Sequence, residues 1–168
     1  GILPGVLVDG SQSGTGVSFA TTDGAGATGS LNAVLRPLAA TEYATALSSG
    51  NNVVLSAETT PTGTWGSAIN SLTLNAGGTL LLEPLQAFTV SSGGLLFKAG
   101  AGGISDGMVQ VGSNVLNLFA LGAAGSPQVN LTSVLSGTGG LAKGGAGTVL
   151  LGRPIPGFAG LAGSALSG

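Results

Sequence analysis

Ser136-Gly-Thr-Gly-Gly-Leu-Ala-Lys-Gly-Gly-Ala-Gly-Thr-Val-Leu-Leu-Gly152 is the stretch that decides the fold. Leu141 and Lys143 stand two residues apart on a short strand bracketed by Gly139-Gly140 and Gly144-Gly145. Thr148 to Leu151 forms a second strand, closed by Gly152. Strands this short, punctuated by glycine, are rungs and corners rather than long hairpin arms. A corner turned in two residues needs positive φ or a missing Cβ, and glycine supplies both. Gly139, Gly140, Gly144, Gly145 and Gly152 are therefore the expected structural corners, with positive φ in at least one of the first four. Nothing in the stretch pairs a nucleophile with a base or sets out metal ligands.

The pattern continues upstream. From Asn52 the apolar bursts are regular: Val53–Leu55, Ile69–Leu74, Thr79–Leu82, Phe88–Val90, Leu95–Phe97, Val109–Val111, Val115–Leu118 and Val129–Leu131 precede the two strands above. Uniform short strands at such spacing fit a sandwich or a solenoid. Corners made mostly of Gly-Gly and Ser-Gly rather than hairpin dipeptides, and inward aliphatics of similar size, favour the solenoid. The expectation is an all-β, right-handed parallel β-solenoid (β-helix) with about three short strands per coil. About 20–25 residues per coil and ~4.8 Å of rise give about seven coils and a rod around 35 Å long.

The segments outside this block are less regular. Residues 1–51 read as strands at Ile2-Leu3, Val6–Val8 and Val17–Ala20, followed by a loop and an irregular cap-like segment over the start of the solenoid. Leu31, Val34, Leu35 and Leu38 have helical spacing, but Pro37 interrupts it and leaves room for one turn at most. Residues 52–152 are the regular coils. Residues 153–168 are a Gly/Ala/Pro-rich tail or the start of a next coil.

Ser136 to Gly152 resembles the autotransporter-associated β-strand repeat of bacterial surface and secreted proteins, whose usual form is G-x-G-G-L-x-K-x-G-x-G-x-L-x-L-x-G. The likeness reaches upstream through Ala68-Ile69-Asn70-Ser71-Leu72-Thr73-Leu74 and Val90-Ser91-Ser92-Gly93-Gly94-Leu95. It departs where the family continues with an Asn-x-Tyr-x-Gly-Gly-Thr segment, because this chain has Arg153-Pro154-Ile155-Pro156-Gly157-Phe158-Ala159-Gly160. The resemblance implies a passenger-type solenoid in the extracellular space or on the bacterial cell surface. It implies nothing about a ligand.

Composition narrows the function classes. Of 168 residues, 6% are charged, 43% are apolar and 33 are glycine, which is not the low-hydrophobicity, high-charge signature of disorder. Four Lys plus Arg and a net charge of −2 leave no electrostatic footprint for nucleic acid. No apolar run approaches the ~18–20 residues of a membrane-spanning helix. The first residues, Gly1-Ile-Leu-Pro-Gly, lack the features of a signal peptide, so a secretion signal is expected outside this segment.

The catalytic inventory is thin. With no His and no Cys, triads, thiolate sites and imidazole metal sites are excluded. Paired carboxylates remain the one enzymatic route. The six acids lie 14 or more residues apart; coils bring residues about 20–25 apart into register, and Glu83 and Asp106, 23 apart, are the pair to test. Two solvated turn residues account for them as well, and Lys98, the nearest base in sequence, reads equally as a snorkelling surface lysine. Trp65 is a candidate sugar platform, or a loop side chain folded over the coil beneath. Gly24-Ala-Gly-Ala-Thr-Gly29 matches a dinucleotide fingerprint as a string, but such matches arise by chance in a chain one-fifth glycine, and Pro37 breaks the helix that the mechanism requires.

The sequence therefore points to a structural, non-enzymatic module with no catalytic residue, cofactor or metal: a stalk, adhesin passenger, biofilm component or fibre subunit. Its rival is a carbohydrate-active β-helix, a lyase or glycan-binding module, with surface glycans as partners. Expected partners are neighbouring repeats of a longer chain, or further copies of itself end to end, with Phe158, Leu161 and Leu166 as assembly candidates.

Overall fold

The fold is taken from a computed structural model, which describes residues 1–13, 16–22, 34–62, 67–123, 129–152 and 165–166. The centre of the molecule is a β-solenoid of about four turns, built from parallel strands on three faces. The first face stacks the start of β7 (Ser67–Leu74), the start of β9 (Ala87–Phe97), β11 (Met108–Gln110) and β14 (Val134–Ser136). The second stacks β4 (Tyr43–Ala44), β5 (Asn52–Leu55), the ends of β7 and β9, β12 (Leu116–Ala120) and β15 (Leu141–Gly144). The third stacks β6 (Glu58–Thr59), β8 (Thr79–Leu81), β10 (Gly103–Ser105), β13 (Val129–Leu131) and β16 (Val149–Leu151).

Three strands per coil are as the sequence indicates, but the stack has about four turns rather than seven. The reason is that β1, β2 and β3 lie outside it, so the stack is built from fewer residues than the whole chain. Coil length runs from 19 residues (Asn52 opposite Ser71) to 27 (Gly103 opposite Asn130), spanning the expected ~20–25. At ~4.8 Å per coil the stack is about 19 Å long.

Parallel pairing in register puts like on like. Inside the second face run Val53–Leu72–Leu95–Leu118 and Leu55–Leu74–Phe97–Ala120. Inside the third run Leu80–Ile104–Leu131–Leu151, and inside the first Phe88–Val109–Leu135. All of these are buried and form one continuous core. Each leucine so placed contributes about 1.5–3 kcal/mol from removal of apolar surface from water. Between the first and second faces the chain bends without leaving the ladder: the register of β7 on β9 slips between Ile69 and Ser71, and Gly93 takes φ +77° at that corner.

The N-terminal segment does two things. β1 (Ile2–Asp9), β2 (Val17–Thr22) and β3 (Leu35–Pro37) form a separate antiparallel sheet, with a bulge in β1 between Leu3 and Leu7. This sheet packs on the outside of the second face, where Phe19, Leu38 and Leu96 form a second buried cluster flanked by Ile2, Leu7, Tyr43, Phe119 and Leu121. The rings of Phe19 and Phe119 meet edge to face, 6.3 Å apart. Past Pro37 the only helical piece among the described residues is the 3-10 turn Ala40–Glu42. β4 then pairs on the leading edge of β5 and Leu47 packs on the main core, so the start of the stack is capped.

At the other end, β17 (Ala165–Leu166) returns to pair with β16 antiparallel, Leu166 opposite Val149.

Candidate functional site

The expected corner glycines divide into distinct kinds. Gly145 has φ +80°, and a Cβ there would run into the backbone carbonyl of Ala120. A Cβ on Gly139 would meet the carbonyl of Asn114, and one on Gly152 would come within 2.7 Å of Thr132. Gly144 is a strand residue instead, the last of β15, where a Cβ would stand 2.8 Å from the Phe119 ring. Gly140 has open space around its Cβ position and no positive φ, so its surroundings do not demand glycine.

Glu83 and Asp106 do share a corner. The pairings Leu81–Ser105 and Ala87–Met108 bracket them in adjacent coils, between the third face and the first. Both are exposed. The Glu83 backbone N–H is bound by Gln86 Oε1 at 3.1 Å, and Asp106 takes φ 58°, so each residue shapes its turn. Lys98 does not join them. It acts on Asp9, whose carboxylate is held below its ordinary pKa chiefly by the backbone N–H of Ser11, then by the Ser11 hydroxyl, with Lys98 a lesser cause. Among the described residues no three His, Cys, Asp or Glu gather as a metal site, and no helix is long and apolar enough to cross a membrane. Trp65, the Gly24–Gly29 string, Phe158 and Leu161 lie outside the described residues. Leu166 pairs within its own chain.

Lys143 occupies an unexpected place. Its register partner is Leu118, so it continues the inner ladder Val53–Leu72–Leu95–Leu118 at the last coil. It is half-buried, its ammonium donates to the carbonyl of Gly145 at 2.5 Å, and loss of hydration pushes its pKa down. Of the other inward residues of that coil, Leu135 is 4% exposed, Val149 0% and Leu151 3%, while Leu141 is only partly buried.

The concavity with a recognisable lining is on the first face. A groove of about 450 Å³ runs along the stack over Thr89, Gln110, Ser136, Gly137 and Thr138, with Gly112 at its side. Thr89, Gln110 and Ser136 are register partners in three consecutive coils. Thr89 and Gln110 each sit between inward apolar neighbours, in Phe88-Thr89-Val90 and Val109-Gln110-Val111, and Ser136 follows inward Leu135. That alternation is the signal in the sequence that would have exposed the groove, since the central residue of an inward-outward-inward triplet must face out. A second concavity, of about 330 Å³, lies at the start of the stack against Thr45, Leu47 and Thr59 to Thr62.

No family model matches the chain, and neither the curated proteins nor the solved structures include a match to it.

Proposed function

We propose that this chain is a structural β-solenoid module of a bacterial surface or secreted protein, a stalk or adhesin passenger rather than an enzyme. The observation that carries this is the stacking of the inner ladders: on all three faces the same inward positions are aliphatic or aromatic from coil to coil, until Lys143 takes the place in the last coil of the second face. Such a stack holds a shape along one axis through nearest-neighbour contacts, which is what a spacer requires. The extracellular placement rests on the resemblance of Ser136 to Gly152 to the autotransporter-associated repeat. End-to-end fibres are the less favoured form of this reading, because β17 covers the edge of β16, the inward side chains of β14 and β16 are already buried, and Lys143 would have to lose its water for another coil to stack there.

Two measurements test it. Pulled from its ends, a spacer of this design resists until the N-terminal sheet that ties its coils together detaches, and then gives way in coil-sized steps, roughly 60–100 Å of chain per step at ~3.3–3.6 Å per residue. An antibody to the module labels intact source cells; labelling only after permeabilisation overturns the surface assignment. The rival, a lyase using Glu83 and Asp106, has their shared corner in its favour. It requires cleavage of a polysaccharide that Glu83→Gln abolishes.

A further inference from the structure

We propose that the groove on the first face binds a neutral glycan chain laid along the stack axis, with Gln110 at its centre. This goes beyond the structural reading and does not depend on it. The groove is made by register. Thr89, Gln110 and Ser136 project from three successive coils, so hydroxyl, amide and hydroxyl recur at one-coil spacing, with Thr138 at the edge. Thr89 and Ser136 are two coils apart, roughly 10 Å. Gly112 and Gly137 bring no side chains, and this sets the depth beside the ladder.

The donor set is only partly used within the protein. The Gln110 carbonyl accepts from the Thr89 hydroxyl at a long 3.5 Å. The contact of its Nε2 is the thioether of Met108 at 3.9 Å, a weak acceptor, so both amide hydrogens remain for a better one. The Thr138 hydroxyl has a long 3.5 Å contact to the Gly112 carbonyl, which already accepts the Thr138 backbone N–H at 2.8 Å. A half-buried amide flanked by hydroxyls in a concave wall is suited to a ligand that offers many hydroxyls in return.

Charge and backbone chemistry select among polymers. Among the described residues no Lys, Arg, Asp or Glu lines the groove, so phosphates, sulfates and uronates find no counter-charge among them. The wall is the face of a sheet, whose main-chain hydrogen bonds run along the stack rather than out of the face, and of its strands β9, β11 and β14 the one at an edge is β14, at the end of the stack. An extended peptide binds a sheet by adding to such an edge, which would lengthen the stack beyond β14 and leave the groove over Thr89 and Gln110 empty. Sugar hydroxyls need side-chain donors and acceptors only, and a repeating chain meets a repeating ladder.

The test titrates the whole protein with neutral oligosaccharides of about six units (β-linked glucan, xylan and mannan, and α-linked glucan), with oligogalacturonate as the charged counterpart, and follows side-chain amide resonances by NMR. At least one neutral chain should shift the Gln110 Nε2 protons saturably, and oligogalacturonate should not. Gln110→Ala should weaken that binding at least ten-fold, while Gln110→Glu, nearly isosteric, should weaken it with the fold unchanged. Thermal melts of both variants confirm that the loss is not unfolding. The proposal is overturned if no neutral chain moves these protons, if oligogalacturonate binds as well, or if folded Gln110 variants bind like the parent.

Discussion

Thr73 should be replaceable with profit. It lies on the outside of β7, between Val54 below and Leu96 above, under the N-terminal sheet. It is 1% exposed, and its hydroxyl has no hydrogen-bond partner. A hydroxyl taken from water without a new bond costs about 1–3 kcal/mol in folded proteins. Thr73→Val keeps the β-branch, removes that cost and adds a methyl to an apolar wall, so a gain of about 1–2 kcal/mol is expected, raising Tm by roughly 2–4 °C per kcal/mol. Ser71 provides the control on the same strand and the same face. It is fully buried, and its hydroxyl is bonded to Asn52 Oδ1 at 3.0 Å, which also accepts from the Asn70 amide at 2.6 Å. Ser71→Ala breaks a satisfied network and should lose about 1 kcal/mol. Urea melts read both, as opposite movements of the midpoint at constant slope. A Thr73→Val midpoint that stays put or falls, with the slope unchanged, refutes the reasoning, because the hydroxyl must then be satisfied by a buried water.

Other outcomes follow from the same geometry. Gly145→Val should cost more than about 2 kcal/mol, from the left-handed backbone and the Ala120 carbonyl, while Gly140→Val should change stability by less than about 1; equal effects in thermal melts contradict the division. Gly94→Ala places a Cβ 3.0 Å from the Phe19 ring and 3.2 Å from Ile2, so limited proteolysis should cut residues 1–37 faster than in the parent while the coils remain intact. Glu42 is held at about 2, below its ordinary 4.5, first by the hydrogen bond from Arg36 and then by the Ala39 backbone N–H. A depressed carboxylate stabilises fully above about 4.5 and loses that contribution as pH falls through about 2, so amide exchange around Arg36 to Glu42 should rise across that window. Glu42→Gln should flatten the profile.

The coils were legible because their period is local. Inward aliphatics two apart, set off by Gly and Ser, mark β5, β7, β8, β11, β12, β13, β15 and β16 to within two residues. β6, β10 and β14 escape, since Glu58-Thr59, Gly103-Ile104-Ser105 and Val134-Leu135-Ser136 carry at most one inward aliphatic instead of two spaced two apart, and their pairing with a neighbouring coil marks them as strands. The apparent helix spacing at Val34, Leu35 and Leu38 reflects something else: Leu35 lies in β3, and Leu38 is buried against Phe19 and Leu96. The N-terminal sheet was not legible as a flank, because which face a sheet covers depends on contacts distant in sequence. One clue was present. Leu95-Leu96-Phe97 is a continuous apolar run rather than an alternating one, as expected of a strand buried on both faces.

That two-sided burial changes how the stack behaves. A bare solenoid is a one-dimensional array whose end coils fray, since each touches only its neighbours. Here the antiparallel sheet reaches coils on both sides of β9: Ile2 and Phe19 approach Gly94, Phe19 meets Phe119 in the next coil, and the Ser18 hydroxyl and Tyr43 hydroxyl, 2.6 Å apart, tie the sheet to the first strand of the stack. Coils that would open separately are therefore coupled through one lateral element. Phe19, fully buried in that element, touches no residue of the inner core cluster, yet its loss should uncouple the coils. Phe19→Ala should cost about 3–5 kcal/mol and also broaden the urea transition, because the coils regain independent unfolding. A variant that loses stability but keeps the parent's slope would show instead that the inner ladders alone make the stack cooperative.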